Sequence, residues 1–226
     1  MRVTLDAVAK GRRDAALPPT SLAYASGRAT LVVTETAQRP TVLGLIASGR
    51  MSPDAGTIAL DGVSGRHATA AVRRRVALVD APDVSEPAPD IAVAGVVAEE
   101  LMFAGRPSDP ISARRWLDAQ GMRAHSRLPI ADLAPAERIR LLLELAASRP
   151  GVEALVLVSP DRHGGDPRQW WTLADEFAGR GLAVLVIAGE ASAAALAAPV
   201  PARLLRPRPS RVRPTHRSTV LAGGAR

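Results

Sequence analysis

The sequence predicts an α/β protein: a mostly parallel sheet flanked by helices, with a small helical subdomain inserted and a basic tail at the end. Three observations lead there. Short β-branched runs alternate with stretches of helical period, a helix-rich stretch interrupts that alternation near the middle, and the charge excess sits in the last residues. The 226 residues, 47% of them hydrophobic, suffice for one substantial core and a small second subdomain. Residues 1–202 are expected to form the folded domain and residues 203–226 the tail.

The elements follow in order. "ATLVVTE" (29–35) is a β-branched run closed by polar residues and reads as a buried strand. "RPTVLGLIASGR" has apolar residues at 42, 43, 45 and 46, a helical spacing, and Pro40 suits a first turn, where its missing N–H would be unpaired anyway. "SPDAGTIALDGV" supplies a turn, a short strand and a second turn at Asp61 and Gly62, and "RRRVALVD" (73–80) reads as another buried strand. "APDVSEPAP" (81–89), with Pro82, Pro87 and Pro89, must be loop. "VAGVVAEELMFAG" and "ISARRWLDAQGM" are amphipathic helices, which makes residues 90–130 a helical insertion. "APAERIRLLLELAAS" (134–148) is a helix starting near Pro135, and "GVEALVLVSP" (151–160) is a buried strand. The helix "PRQWWTLADEFAGRG" and the strand "LAVLVIAG" (182–189) complete the alternation, which implies right-handed crossovers.

Composition excludes several classes of function. Cysteine is absent, so thiolate chemistry and disulfides are excluded, and His67, His125, His163 and His216 show no metal-ligand spacing. No apolar run reaches the length of a membrane span, and the first residues lack the apolar stretch of a secretory signal. A cytoplasmic location, soluble or peripheral on the inner face of a membrane, is the expectation. From Arg203 onward there are seven arginines and no acid, which equals the whole formal excess of +7. Alternating arginine and proline there builds no core, so disorder is one reading and attraction to an anionic membrane surface another. Nucleic acid is disfavoured because the tail has no aromatic residue to stack on bases.

The order and spacing of these elements resemble the nucleotide-binding domain of ATP-binding-cassette (ABC) transporters, a P-loop NTPase fold. "LGLIASGRMSPDAGTIALDGV" has the form of the helix and hairpin behind the phosphate-binding loop, "RRRVALVDAPD" that of the strand into the Q-loop, and "LAPAERIRLLLELA" that of the signature motif. "LVLVSPDRHGGDP" falls on Walker B and the D-loop, and the end of "LAVLVIAGE" on the H-loop. The resemblance covers about residues 1–200. It implies a membrane transporter-like protein or a competent ABC subunit as partner, in a homodimer or heterodimer, with the helical subdomain receiving the membrane subunit.

The residues at the motif positions depart from that family. A phosphate-binding loop uses glycines to turn consecutive N–H groups inward, a lysine for the terminal phosphates and a hydroxyl for magnesium. In "TETAQRPT" (34–41) Gln38 stands at the last glycine, Arg39 at the lysine and Pro40 at the hydroxyl, with Thr41 beside it and no glycine in the stretch. Ser159 takes the magnesium-binding aspartate position and Pro160 that of the general-base glutamate, while Asp161 is the carboxylate a small shift would supply. Asp166 matches the D-loop by type and spacing. The Q-loop glutamine falls near Ala81, the H-loop histidine on Gly189 beside Glu190, and the signature serine on Ala134, followed by Pro135.

Two readings of function follow. In the first, the chain is a degenerate ABC ATP-binding subunit, incompetent in hydrolysis, without cofactor, acting as an interaction or regulatory partner. In the alternative, it is a divergent but active ABC ATPase that binds ATP and magnesium through Gln38, Arg39, Thr41 and Asp166, with Asp161 as the catalytic carboxylate. His163 is expected to be a solvent-exposed loop residue. Trp116, Trp170 and Trp171 lie on amphipathic helices and are expected in packing, with one of the adjacent pair free to mark a partner surface. Deleting residues 203–226 is expected to lower adsorption to anionic vesicles at low salt, measured by co-sedimentation. DNA binding that survived the deletion would contradict any nucleic-acid role of the tail.

Overall fold

Strands that alternate between two cores explain why their sequences show no polar face. The computed structural model describes residues 1–14, 16–34 and 38–198, apart from the side chains of Asp14 and Gln38. These residues form two four-stranded sheets. The parallel sheet consists of β3 (Arg28–Val33), β6 (Val76–Val79), β7 (Ala154–Val158) and β8 (Ala183–Ala188), in the order β3-β8-β7-β6. Leu155, Leu157, Val184 and Val186 enter one hydrophobic cluster, and Val156, Val158, Leu185 and Ile187 enter the other. Because successive side chains point to opposite faces, strands covered on both sides read as continuous apolar runs; β3, at the edge of the sheet, departs from the buried strand expected there, being half-buried with Arg28 and Val33 exposed.

The second sheet is antiparallel and covers one flank. It contains β1 (Arg2–Lys10), β2 (Leu17–Ala25), β4 (Ala55–Leu60) and β5 (Val63–Ser64), ordered β2-β1-β4-β5. The first two strands carry no clear sequence signal. Their pairing shifts register between Leu5 and Val8 and again before Lys10, and Ala7 takes a φ of 45°, so alternation is broken. Pro18 and Pro19 break it further in β2.

Between the sheets lies α1 (Gln38–Ala47). Its contact with the parallel sheet is close at Gly44, where an added Cβ would lie 2.7 Å from Val158 Cγ2 and 3.2 Å from Leu78 Cδ1. The buried Tyr24 hydroxyl donates to the Ala47 carbonyl (2.7 Å), satisfying an orphan acceptor at the end of the helix. Desolvation drives that phenol far above its usual pKa, so it stays a neutral donor.

Residues 73–75 are a correction to the expected strand. They close α2 (Arg66–Arg75), a helix that buries Ala68 and Val72, and the strand starts only at Val76. Three arginines in a last turn suit the negative end of the helix dipole, and Arg75 forms a forked pair with Glu153.

From β6 to β7 the chain passes through α3 (Val93–Phe103), α4 (Pro110–Ala119), short turns at Arg123–His125 and Ile130–Asp132, and α5 (Pro135–Ala147). Val96, Val97, Leu101, Trp116 and Leu117 join the cluster that also contains the α5 leucines. α6 (Pro167–Gly179) and α7 (Glu190–Ala197) flank β8 in sequence. Trp170 is buried, whereas Trp171 is half-buried with its ring edge-on to Trp170 at 6.4 Å.

A side chain at position 44 must push α1 off the sheet. Gly44→Ala is expected to destabilise the chain by about 1–3 kcal/mol in urea denaturation; an unchanged midpoint would contradict the close approach.

Candidate functional site

All four parallel strands end on the same edge, and in open α/β sheets that edge is where ligands bind. β3 ends at Thr34, whose N–H donates to the Ala188 carbonyl (3.0 Å). The next residues, 35–37, lie outside the described residues, as does the side chain of Gln38. The residues that follow the other strands are Asp80 after β6, Ser159 after β7 and Gly189 after β8. Asp80 (φ 55°), Asp83 (φ 59°) and Ser159 (φ 48°) all take left-handed backbone, uncommon outside glycine. Asp80 and Ser159 sit where the chain leaves the sheet, and Asp83 in the turn that follows β6.

A cleft of about 500 Å³ opens on this edge, lined by Thr41, Val42, Pro82, Asp83, Val84, Ser159 and Arg162. Thr41 therefore faces the cleft, whereas Arg39, half-buried in the first turn of α1, is not part of its lining. The wall opposite Ser159 is apolar, with Val84 half-exposed.

The carboxylates near the strand ends are engaged by the chain itself. Asp161 Oδ2 accepts from the Gly189 N–H (2.8 Å) and the Ser192 hydroxyl (3.1 Å), which ties the turn after β7 to the start of α7. Asp166 caps α6 by accepting from the Arg168 N–H (3.0 Å) and is exposed. Asp161 and Asp166 thus occupy different places, one in the β7–β8 junction and one on a helix end. Ala134 starts α5 without a side-chain acceptor, and Pro135 follows it.

The most buried charge of the region is Asp80, whose side chain is 0% exposed. Its Oδ1 accepts from Arg138 Nη2 (2.8 Å) and lies 3.0 Å from Arg162 Nη2, and its Oδ2 lies 2.7 Å from His163 Nε2. Arg162 also bonds the carbonyls of Asp80 and Val158 and the carboxylate of Glu86. Burial alone would disfavour the charged carboxylate. The His163 and Arg138 hydrogen bonds and the charges of Arg162 and Arg138 outweigh it and hold Asp80 below the usual carboxylate range. His163 is therefore not the solvent-exposed residue expected from its loop, since 21% of its side chain is exposed and its ring is anchored to a buried acid. One sequence signal for this cluster was present: Arg138 falls on the apolar face of α5, among Ile139, Leu141, Leu142 and Leu145, where a cation requires a buried acid.

Comparison with solved structures places this geometry in a known architecture. The chain is similar to cbiO1 from Clostridium perfringens, described as part of the ABC transporter complex cbiONQ, at 18% identity and a TM-score of 0.57, over 83% of this chain and 77% of that one. It is similar to the ADP conformation of MJ1267, an ATP-binding cassette of an ABC transporter, at 14% identity and a TM-score of 0.59, over 84% and 82% of the two chains. A nucleotide-free ATP-binding cassette from an ABC transporter matches at 13% identity and a TM-score of 0.60, over 84% and 82%. No protein-family model matches the sequence, and no curated protein matches it. The chain has the P-loop NTPase fold of ATP-binding-cassette domains. Among the described residues, no helix is long and apolar enough to cross a membrane.

Because Asp80 has a depressed pKa when folded, its stabilisation is present above the unfolded value of about 3.9 and is lost as pH falls through the folded value. Asp80→Asn should cost about 3–5 kcal/mol at neutral pH, since it leaves buried cations uncompensated. Urea titrations below pH 5 should show a shallower loss in the variant than in the wild type. Parallel pH profiles would contradict the ionised, buried carboxylate.

Proposed function

We propose that the chain is a degenerate ABC ATP-binding subunit that does not hydrolyse ATP and acts as an interaction or regulatory partner of a membrane protein or a competent ATPase subunit. The observation that carries this reading is the end of β7. Ser159 and Pro160 stand where phosphoryl transfer in this fold needs a magnesium ligand and a base, and the nearest carboxylate, Asp161, is already committed to Gly189 and Ser192. The cleft beside it supports the same reading: Val42, Pro82 and Val84 make part of its lining apolar, and Arg162, the cation among its lining residues, is engaged by Asp80, Val158 and Glu86. On this reading the chain carries no cofactor.

The partner surface is the helical hairpin. Phe103 closes α3 and Ile111 opens α4, and with Met102 they are exposed at one end of it. An adjoining cleft of about 300 Å³ is lined by Leu101, Pro107 and Trp116 and edged by Arg106 and Arg115. Exposed apolar groups around a pocket are what a docking segment requires. The subunit pairs with itself or with a competent cassette on the cytoplasmic face of a membrane, and the tail adds attraction to anionic lipid.

The alternative, a divergent ATPase, keeps one supporting observation: the side chain of Thr41 faces the cleft. Fluorescent ATP analogues with and without magnesium separate the two. No magnesium-dependent binding is expected up to millimolar nucleotide; micromolar binding that Arg39→Ala abolishes would overturn the proposal.

A further inference from the structure

The chain leaves the parallel sheet at Asp80 and returns to it through α5, so the intervening helices hang on two connecting segments. Those segments are zipped to each other: the Ala131 N–H donates to the Pro89 carbonyl (3.1 Å), the Ile130 N–H to Ile91 (2.9 Å) and the Val93 N–H to Leu128 (2.9 Å). Zipping closes the neck, and core packing with the Glu100–Arg149 ion pair holds α3 against α5, but none of the zipping bonds reaches a strand of the sheet.

Asp80 does reach across. Its carboxylate joins the last residue before the exit to Arg138 in the first turns of the returning helix, and to Arg162 and His163 in the turn after β7. Arg162 continues the connection to Glu86 in the exit segment. A cavity of about 250 Å³ lies among these groups, lined by Glu86, Pro87, Pro89, Leu133, Arg138 and His163.

We propose that Asp80 is a clasp that fixes both ends of the neck, the exit segment and the start of the returning helix, on the parallel sheet, so that this arrangement needs no bound ligand. The carboxylate is shielded from water, and removing one cation leaves the rest of the network unbalanced, so the contacts act as a unit. The clasp is independent of the nucleotide reading above, since a chain that bound ATP can carry it equally.

Hydrogen–deuterium exchange of the full chain tests it, comparing the wild type with Arg138→Met and His163→Asn. Each variant is expected to speed exchange by about tenfold or more in both residues 81–91 and residues 135–141, while β1 and β2 exchange as slowly as in the wild type. Acceleration confined to the substituted segment, a uniform rise that includes β1 and β2, or no change would each overturn the clasp.

Discussion

Burial of β6, β7 and β8 on both faces is the constraint from which the rest of the structure follows. Every residue of β6, β7 and β8 is buried, and alternate side chains serve two separate cores. Such strands have no position for a polar side chain, so polar chemistry is forced to their ends. The ends are also where the backbone must turn sharply, which is why Asp80 and Ser159 take left-handed conformations there. Both cores are closed by short, specific contacts: Gly44 against Val158 on one side, and the α5 leucines against Leu155 and Leu157 on the other.

Near those ends three acids bond to the chain itself, and Asp80 is the one fully buried. Asp161 holds the first turn of α7, Asp166 holds the first turn of α6, and Asp80 gathers Arg138, Arg162 and His163. A site poised for phosphate and magnesium needs unengaged donors and acceptors that a ligand then satisfies. Here each of those acids already accepts from the chain itself, and the adjoining cleft mixes Val42, Pro82 and Val84 with Thr41, Asp83, Ser159 and Arg162. These contacts bring order to the junctions between strands, the returning helix and the neck of the insertion.

Much of the architecture was legible in the sequence. The strands of "ALVLV" and "AVLVIA", the helix starts marked by Pro135 and Pro167, and the turn at Asp61 and Gly62 are local signals, and the structure places them where those signals point. β1 and β2 were not legible, because bulges and adjacent prolines destroy the period on which a strand reading depends. α2 was obscured because its arginine-rich last turn runs straight into β6. The Asp80 cluster is a different case. Its partners lie 58, 82 and 83 residues away, so only the misplaced polarity of Arg138 on an apolar helix face signalled it. Position-by-position reading of the cassette motifs identified which residues occupy the strand ends, but not that Asp161 is held by Gly189 and Ser192.

If the strand ends are satisfied internally, no group remains to activate water on a bound nucleotide. Steady-state phosphate release from magnesium-ATP by the purified chain, compared with Asp161→Asn, addresses this directly. Release at the level of the buffer blank, unchanged by the substitution, is the expected result. Release above the blank that the substitution removes would show that Asp161 serves catalysis and that the chain is an active ATPase.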